Sequence, residues 1–263
     1  MRVYLVNLQR HRERRERIAA MLADAGLEMV WRPGLDGARL RERRGPAVAT
    51  PGAFPAPRTL LSRFQIACLV SHRMAWRRFL ESADAHALVI EDDVHFGEGF
   101  GDVVASERLR QAPFDIVRLE SFAPRVLVDR RRGFSVGGRT VYPLLSHNPG
   151  AGGYCLNRHA ASELLKLTRS APEEVDHIMF DVPRLKGLGM NRLRVGQMLP
   201  AIVIQDGRLS AERQLALLES YIGNRRGARI GHEPMTLGKL GRELARPVIS
   251  VRSRLFSVAS PFV

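Results

Sequence analysis

The run Ala87-Leu88-Val89-Ile90, followed at once by Glu91-Asp92-Asp93 and Val94, constrains this chain most. Four apolar residues bounded by polar sequence fit a strand buried on both faces of a mostly parallel sheet, which implies an α/β fold. Three adjacent carboxylates repel one another, and burial raises their pKa values, so a cation should meet them where the strand leaves the sheet. Mn2+ or Mg2+ suits that place, because a hard ion takes oxygen ligands and keeps positions open for phosphates. If strand geometry persists, Glu91 and Asp93 share one face and Asp92 points to the other, so at most two of them bind one ion. A solvated acidic turn is the competing reading.

The N-terminal run Val3 to Leu8 reads as a strand, and Ile18, Met21, Leu22 and Ala25 place a helix after it, with Gly26 as its stop. A strand at Met29 to Trp31 and a turn at Leu35-Asp36-Gly37 complete a strand-helix-strand unit. Such a unit pairs its strands in parallel by a right-handed crossover and gathers ligands at their carboxyl ends, where Asn7 and Asp36 would lie. Residues 41–58, rich in Arg, Pro, Ala and Gly, read as a mobile loop. Ser62 to Gln65 has capping-box form and opens a helix carrying Ser71 and His72. Residues 114–119 form a further strand ending at Glu120, and 124–140 read as a hairpin or flap. The Gly150 to Gly153 segment is either flexible or allows close backbone approach to a ligand. Asn157 caps the next helix. Asp176 and Asp181 lie in a second concentration of acids; they are candidates for a base or belong to an acid-rich first helical turn.

A net charge of +14 calls for an anionic partner: nucleic acid, acidic lipid or a phosphorylated substrate. Aromatic content of 6% without aromatic-basic interleaving argues against base stacking, so no specific nucleic acid is expected. Cys68 and Cys155 sit in apolar segments and read as free thiols. No apolar run reaches a membrane span, and the N-terminus turns charged too early for a signal peptide, so cytoplasmic residence is expected. From Leu237 to Leu255 apolar residues recur every three or four positions with Lys239, Arg242, Arg246, Arg252 and Arg254 on other faces. This reads as a basic amphipathic helical tail for an anionic membrane surface, with packing on the domain as the alternative. The resulting division is 1–232 as the α/β domain and 233–263 as the tail.

In order along the chain, Val6-Asn7-Leu8, Leu35-Asp36-Gly37, Cys68 to His72, Leu88 to Val94, Phe114 to Val117, Gly150 to Tyr154, Val175-Asp176 and Ile204-Gln205-Asp206 resemble glycosyltransferase family 25. The resemblance implies a GT-A-like, Rossmann-type domain, a UDP-sugar donor, typically UDP-galactose, and an inverting transfer to a lipooligosaccharide or lipopolysaccharide glycan. One departure is Gln65, where the family usually has glutamate; the amide keeps the capping bond without the charge.

Metal would then be held by Asp93 with Glu91 or Asp92, and Asp176 is the expected base for the acceptor hydroxyl. Asn7 and Asp36 would line the nucleotide pocket, and Ser71, His72, Gly152 and Gly153 would shape the donor–acceptor cleft. The expected partners are a UDP-sugar, a glycan or glycolipid acceptor and the inner face of the cytoplasmic membrane. The rivals are a non-catalytic basic binding protein and a nucleotidyltransferase.

Overall fold

The structure, a computed structural model, describes residues 1–40, 61–121, 125–170, 173–183, 193–209 and 257–262. Strand β1 (Val3–Asn7) leads into helix α1 (Arg12–Asp24), whose Ile18 and Leu22 are buried. Gly26 adopts φ +67 behind it, a left-handed value that glycine takes without a Cβ penalty, and so ends the helix. Strand β2 (Met29–Pro33) then pairs in parallel with β1. Helix α2 (Arg63–Leu80) opens with the expected capping box: Gln65 N donates to Ser62 Oγ, and Ser62 N to Gln65 Oε1.

Strands β3 (His86–Glu91) and β4 (Val94–Phe96) flank the acidic turn. Two short helices follow, α3 (Phe100–Ala105) and α4 (Glu107–Arg110), then strands β5 (Ile116–Arg118), β6 (Glu120–Ser121), β7 (Arg125–Leu127), β8 (Phe134–Val136), β9 (Arg139–Pro143) and β10 (Gly153–Asn157). Helices α5 (Arg158–Ser170) and α6 (Val175–Phe180) and strands β11 (Val195–Leu199), β12 (Val203–Gln205) and β13 (Ser257–Ala259) complete the described elements.

An eight-stranded sheet runs β2-β1-β3-β10-β5-β11-β9-β8, and β4-β12-β6 form a small sheet beside it. The four apolar residues of β3 are fully buried, and they alternate between two cores. Ala87 and Val89 join Trp76 and Phe79 of α2 and Leu164 of α5, whereas Leu88 and Ile90 join Ile18 and Leu22 of α1 and Val103 of α3. A strand covered on both faces reads as an unbroken apolar run, which is what the sequence shows.

The sheet is mostly parallel, six of its eight strands pointing one way, with two reversed strands that make it mixed. Strand β10 runs antiparallel to both β3 and β5, and β9 runs antiparallel to β11 and β8. An apolar run buries equally well in either direction, so periodicity alone could not decide this. The basic region after residue 124 is no flap: β8 and β9 form a hairpin at the sheet edge, turning at Gly137 and Gly138 with φ +52 and +75.

The tail helix expected over 237–255 and the loop at 41–58 lie outside the described residues. Beyond the former, Ser257–Ala259 is strand rather than helix; it pairs antiparallel with β7, and Ser121 Oγ donates to the Ser260 carbonyl. These last residues are therefore docked on the fold. Among the described residues no helix is long and apolar enough to cross a membrane.

Candidate active site

A cleft of about 200 Å3 opens where β1 and β3 end, lined by Asn7, His11, Arg14, Asp36, Cys68 and Asp93 among others. Glu91, Asp92 and Ser71 also line it, so that with Asn7, Asp36 and Asp93 six of the candidate site residues read from sequence meet there, whereas His72, Gly152, Gly153 and Asp176 are not among its lining. Parallel pairing of β1 with β3 sets Val6 beside Glu91 and so carries Asn7 to the acidic turn.

The three acids have different partners, because strand alternation aims them differently. Glu91 points toward α2: its Oε1 lies 3.0 Å from His72 Nε2, and its Oε2 accepts from Gln205 Nε2 at 2.8 Å. Asp92 turns to the α1 side and is buried. Its Oδ2 accepts from Asn7 Nδ2 at 2.6 Å, Arg14 lies 3.3 Å from Oδ1, and Arg17 donates to its carbonyl. Arg14 offsets the charge of Asp93 only through space. Its Oδ1 is buried without a hydrogen-bond partner among the described residues, and burial, then Glu91 and Asp92, push its carboxyl up to about 6.

Ser71 acts on the cleft through the backbone. Its hydroxyl donates to the Ala67 carbonyl and accepts from Leu35 N at 2.9 Å, which pins the segment before Asp36 to α2. Asp36 caps a short 3-10 turn through Ala38 N and pairs with Arg10, and that hydrogen bond holds its carboxyl below the usual carboxylate range.

His72 is fully buried behind Glu91, its Nδ1 2.8 Å from the Tyr154 hydroxyl, which in turn accepts from Trp76 Nε1. The arrangement that gives every donor an acceptor has the Tyr154 hydroxyl donating to Nδ1 and His72 Nε2–H donating to Glu91.

Gly152 and Gly153 face β12. A Cβ on Gly153 would sit 2.8 Å from Val203 Cγ1, and one on Gly152 3.0 Å from Gln205 Cγ, so close packing accounts for both glycines. Asp176 stands in the first turn of α6, where Oδ2 accepts from Gly150 N and Oδ1 from His177 N, each at 2.9 Å. Its carboxylate thus holds the loop that precedes β10. Asp181 lies at the far end of α6, where residue 181 bridges His147.

Several site residues were given no role from sequence, although Ile204-Gln205-Asp206 counted as a motif and Glu120 as a strand end. Gln205 and Asp206 reach the acidic turn because β12 pairs with β4, and Asp206 N donates to the Asp93 carbonyl at 2.7 Å. Asp206 also pairs with His95. Arg14 belonged to a charged helix face like any other; only its reach to Asp92 distinguishes it. Beneath the Gly150 loop, fully buried Arg118 lies 3.4 Å from Glu120, donates to the Pro149 and Gly150 carbonyls and is stacked near Phe180. Glu120 accepts from Gly152 N, and burial lifts its carboxyl to about 7. A strand-embedded Arg-x-Glu has no periodic signature, so only a charge pair inside an apolar run could have pointed to it.

Ligands of open α/β sheets gather at the carboxyl ends of the strands, and this acid-floored cleft with cationic walls is a site of that class. A model of glycosyltransferase family 25, described as LPS biosynthesis protein, matches residues 1–179, and the chain belongs to that family of glycosyltransferases. It is 31% identical over 216 residues to a lacto-N-neotetraose biosynthesis glycosyltransferase, LgtB, of Neisseria gonorrhoeae, covering 78% of this chain and 75% of that one. Identity to LgtE of the same organism, which bears the same description, is 31% over 191 residues, 68% of this chain and 66% of the other. A lipooligosaccharide biosynthesis protein, lic2B, of Haemophilus influenzae is 27% identical over 158 residues, covering 57% and 56%.

Proposed function

We propose that this glycosyltransferase has a GT-A-like site and moves a sugar, galactose by family resemblance, from a UDP-sugar to a hydroxyl of a lipooligosaccharide or lipopolysaccharide glycan, with inversion. The observation that carries the reading is Asp93 Oδ1, a buried carboxylate oxygen without a partner on the wall of a cleft that Arg14 and His11 also line. An orphaned carboxylate oxygen fits a hard divalent ion, Mn2+ or Mg2+, better than it fits a structural role. Glu91 and Asp92 already carry partners, so Asp93 is the principal ligand. When bound, such an ion supplies Lewis-acid stabilisation of the departing diphosphate.

Arg14 and His11 offer N–H donors on the phosphate side of the cleft. Asn7 keeps the acidic turn against β1, and Ser71 holds the Asp36 segment in place for the nucleoside. Asp176 is the proposed base: as the acceptor oxygen attacks the anomeric carbon, it takes that hydroxyl's proton while the bond to the UDP oxygen breaks. Its two backbone hydrogen bonds orient the carboxylate and leave each oxygen a lone pair. The basic segment 237–255 suits an anionic membrane surface, each basic residue contributing about 1 kcal/mol near it.

Thermal unfolding with UDP, with and without Mn2+, tests the reading. A ligand at a hundred times its Kd stabilises by about 2.7 kcal/mol, worth several degrees in a chain of this size. Stabilisation that needs both UDP and Mn2+ and is lost in Asp93→Ala is expected, followed by transfer from UDP-galactose. No response to UDP at millimolar concentration would remove the proposal.

A further inference from the structure

We propose that Cys68, His72 and Glu91 form a second metal site, for a thiophilic divalent cation of the Zn2+ class. Cys68 and His72 lie four residues apart on α2 and so project from one helical face toward Glu91 at the end of β3. His72 Nε2 is 3.0 Å and Cys68 Sγ 3.8 Å from Glu91 Oε1, and all three ligand atoms lie within 4.8 Å of one another. Ligands at the usual Zn–N, Zn–O and Zn–S lengths, in tetrahedral array, stand roughly 3.3–3.7 Å apart, so small adjustments close the set.

The chemistry of the donors separates this site from the hard-ion site proposed at Asp93. Nitrogen, sulfur and one carboxylate oxygen favour Zn2+ or Co2+ over Mg2+ and Mn2+, which prefer all-oxygen sets. The surroundings match what metal ligands need around them. His72 is fully buried with Nδ1 against the Tyr154 hydroxyl, Tyr154 is held in turn by Trp76, and Gln205 fixes the other oxygen of Glu91 at 2.8 Å. Cys68 and Glu91 line the cleft, so the remaining coordination position faces it. Coordination replaces the Cys68 S–H proton by the metal–sulfur bond and releases that proton to solvent. The ring proton of His72 moves to Nδ1 and is donated to the Tyr154 oxygen, so that the Tyr154 O–H gives up Nδ1 as its acceptor, a cost that metal binding must offset.

The proposal stands whether or not the cleft takes a nucleotide sugar. Its test is Co2+ titration of the untagged full chain after chelator treatment, followed by near-ultraviolet absorption. The cluster of Glu174, Asp176 and His177 contains no sulfur, so thiolate-to-cobalt charge transfer reports on a cysteine. The expected result is a charge-transfer band saturating at one equivalent, bleached by stoichiometric Zn2+ and unaffected by excess Mg2+. Cys68→Ser should lose the band and Cys155→Ser should keep it, each variant being checked for native circular dichroism. Glu91→Gln should weaken Co2+ binding at least tenfold. Absence of the band in the wild type, or its survival in Cys68→Ser, overturns the site.

Discussion

The Asn7 side-chain amide donates to Asp92 Oδ2 at 2.6 Å, joining residues 85 positions apart at the ends of neighbouring parallel strands. The same amide donates to the His11 carbonyl, so one residue ties β1, the start of α1 and the acidic turn together. Asn7→Ala removes both bonds and leaves Asp92 leaning on Arg14. We expect a loss of about 1–3 kcal/mol in urea unfolding and weaker UDP stabilisation. Unchanged values in both would show that the link is incidental.

Asp93 imposes a pH dependence of defined sign. Its carboxyl is raised from 3.8 to about 6 in the folded protein. Between those values the native state holds a proton that the unfolded chain has lost, so the stability associated with this group, complete at lower pH, is lost as pH rises toward 6. Asp93→Asn removes the burden. The variant should match wild type near pH 4 and exceed it by on the order of 1–3 kcal/mol above pH 7, while failing to respond to UDP and Mn2+. A stability difference that does not vary with pH would contradict the assignment.

For Gly153→Ala the added Cβ meets Val203 at 2.8 Å. A cost of about 1–3 kcal/mol is expected from overpacking, with partial recovery in the Gly153→Ala, Val203→Ala double variant. UDP binding by the folded protein should be unchanged. A weakened affinity for UDP at full stability would instead place Gly153 at the ligand.

Asp176→Asn separates chemistry from positioning. If Asp176 is the base, kcat should fall by 100-fold or more while UDP stabilisation persists. If its only task is to hold Gly150 N, the amide oxygen preserves that contact and kcat changes little.

Gln65 carries out two tasks at once: it closes the capping box of α2, and its Nε2 donates to Glu174 Oε1 ahead of α6. Gln65→Glu keeps the capping geometry but sets two carboxylates against each other. We expect about 0.5–1 kcal/mol of destabilisation at low salt that shrinks at high salt. Salt-independent stability equal to wild type would show that a relaxed side chain escapes the repulsion.

What the sequence by itself determined was everything governed by neighbours along the chain. Four apolar residues ending in three acids made β3 a doubly buried strand, and alternation alone sent Glu91 and Asp92 to opposite faces. Ser62 with Gln65 announced the start of α2, Asn157 that of α5, and Gly26 the end of α1. Family membership was legible too, through short motifs in order. Tertiary structure decided the rest, because hydrogen-bonded pairing between distant strands leaves no periodicity to read. It set the direction of β10, which brings the Gly150 loop to the same edge as Asn7, and it used Gly152 and Gly153 for packing against β12. It also placed Gln205 and Asp206, over a hundred residues from β3, beside the acidic turn, and it decided which of three consecutive carboxylates stayed without a partner. That last choice depends on how many donors converge from α1, α2 and β12, a count that exists only once the elements have packed.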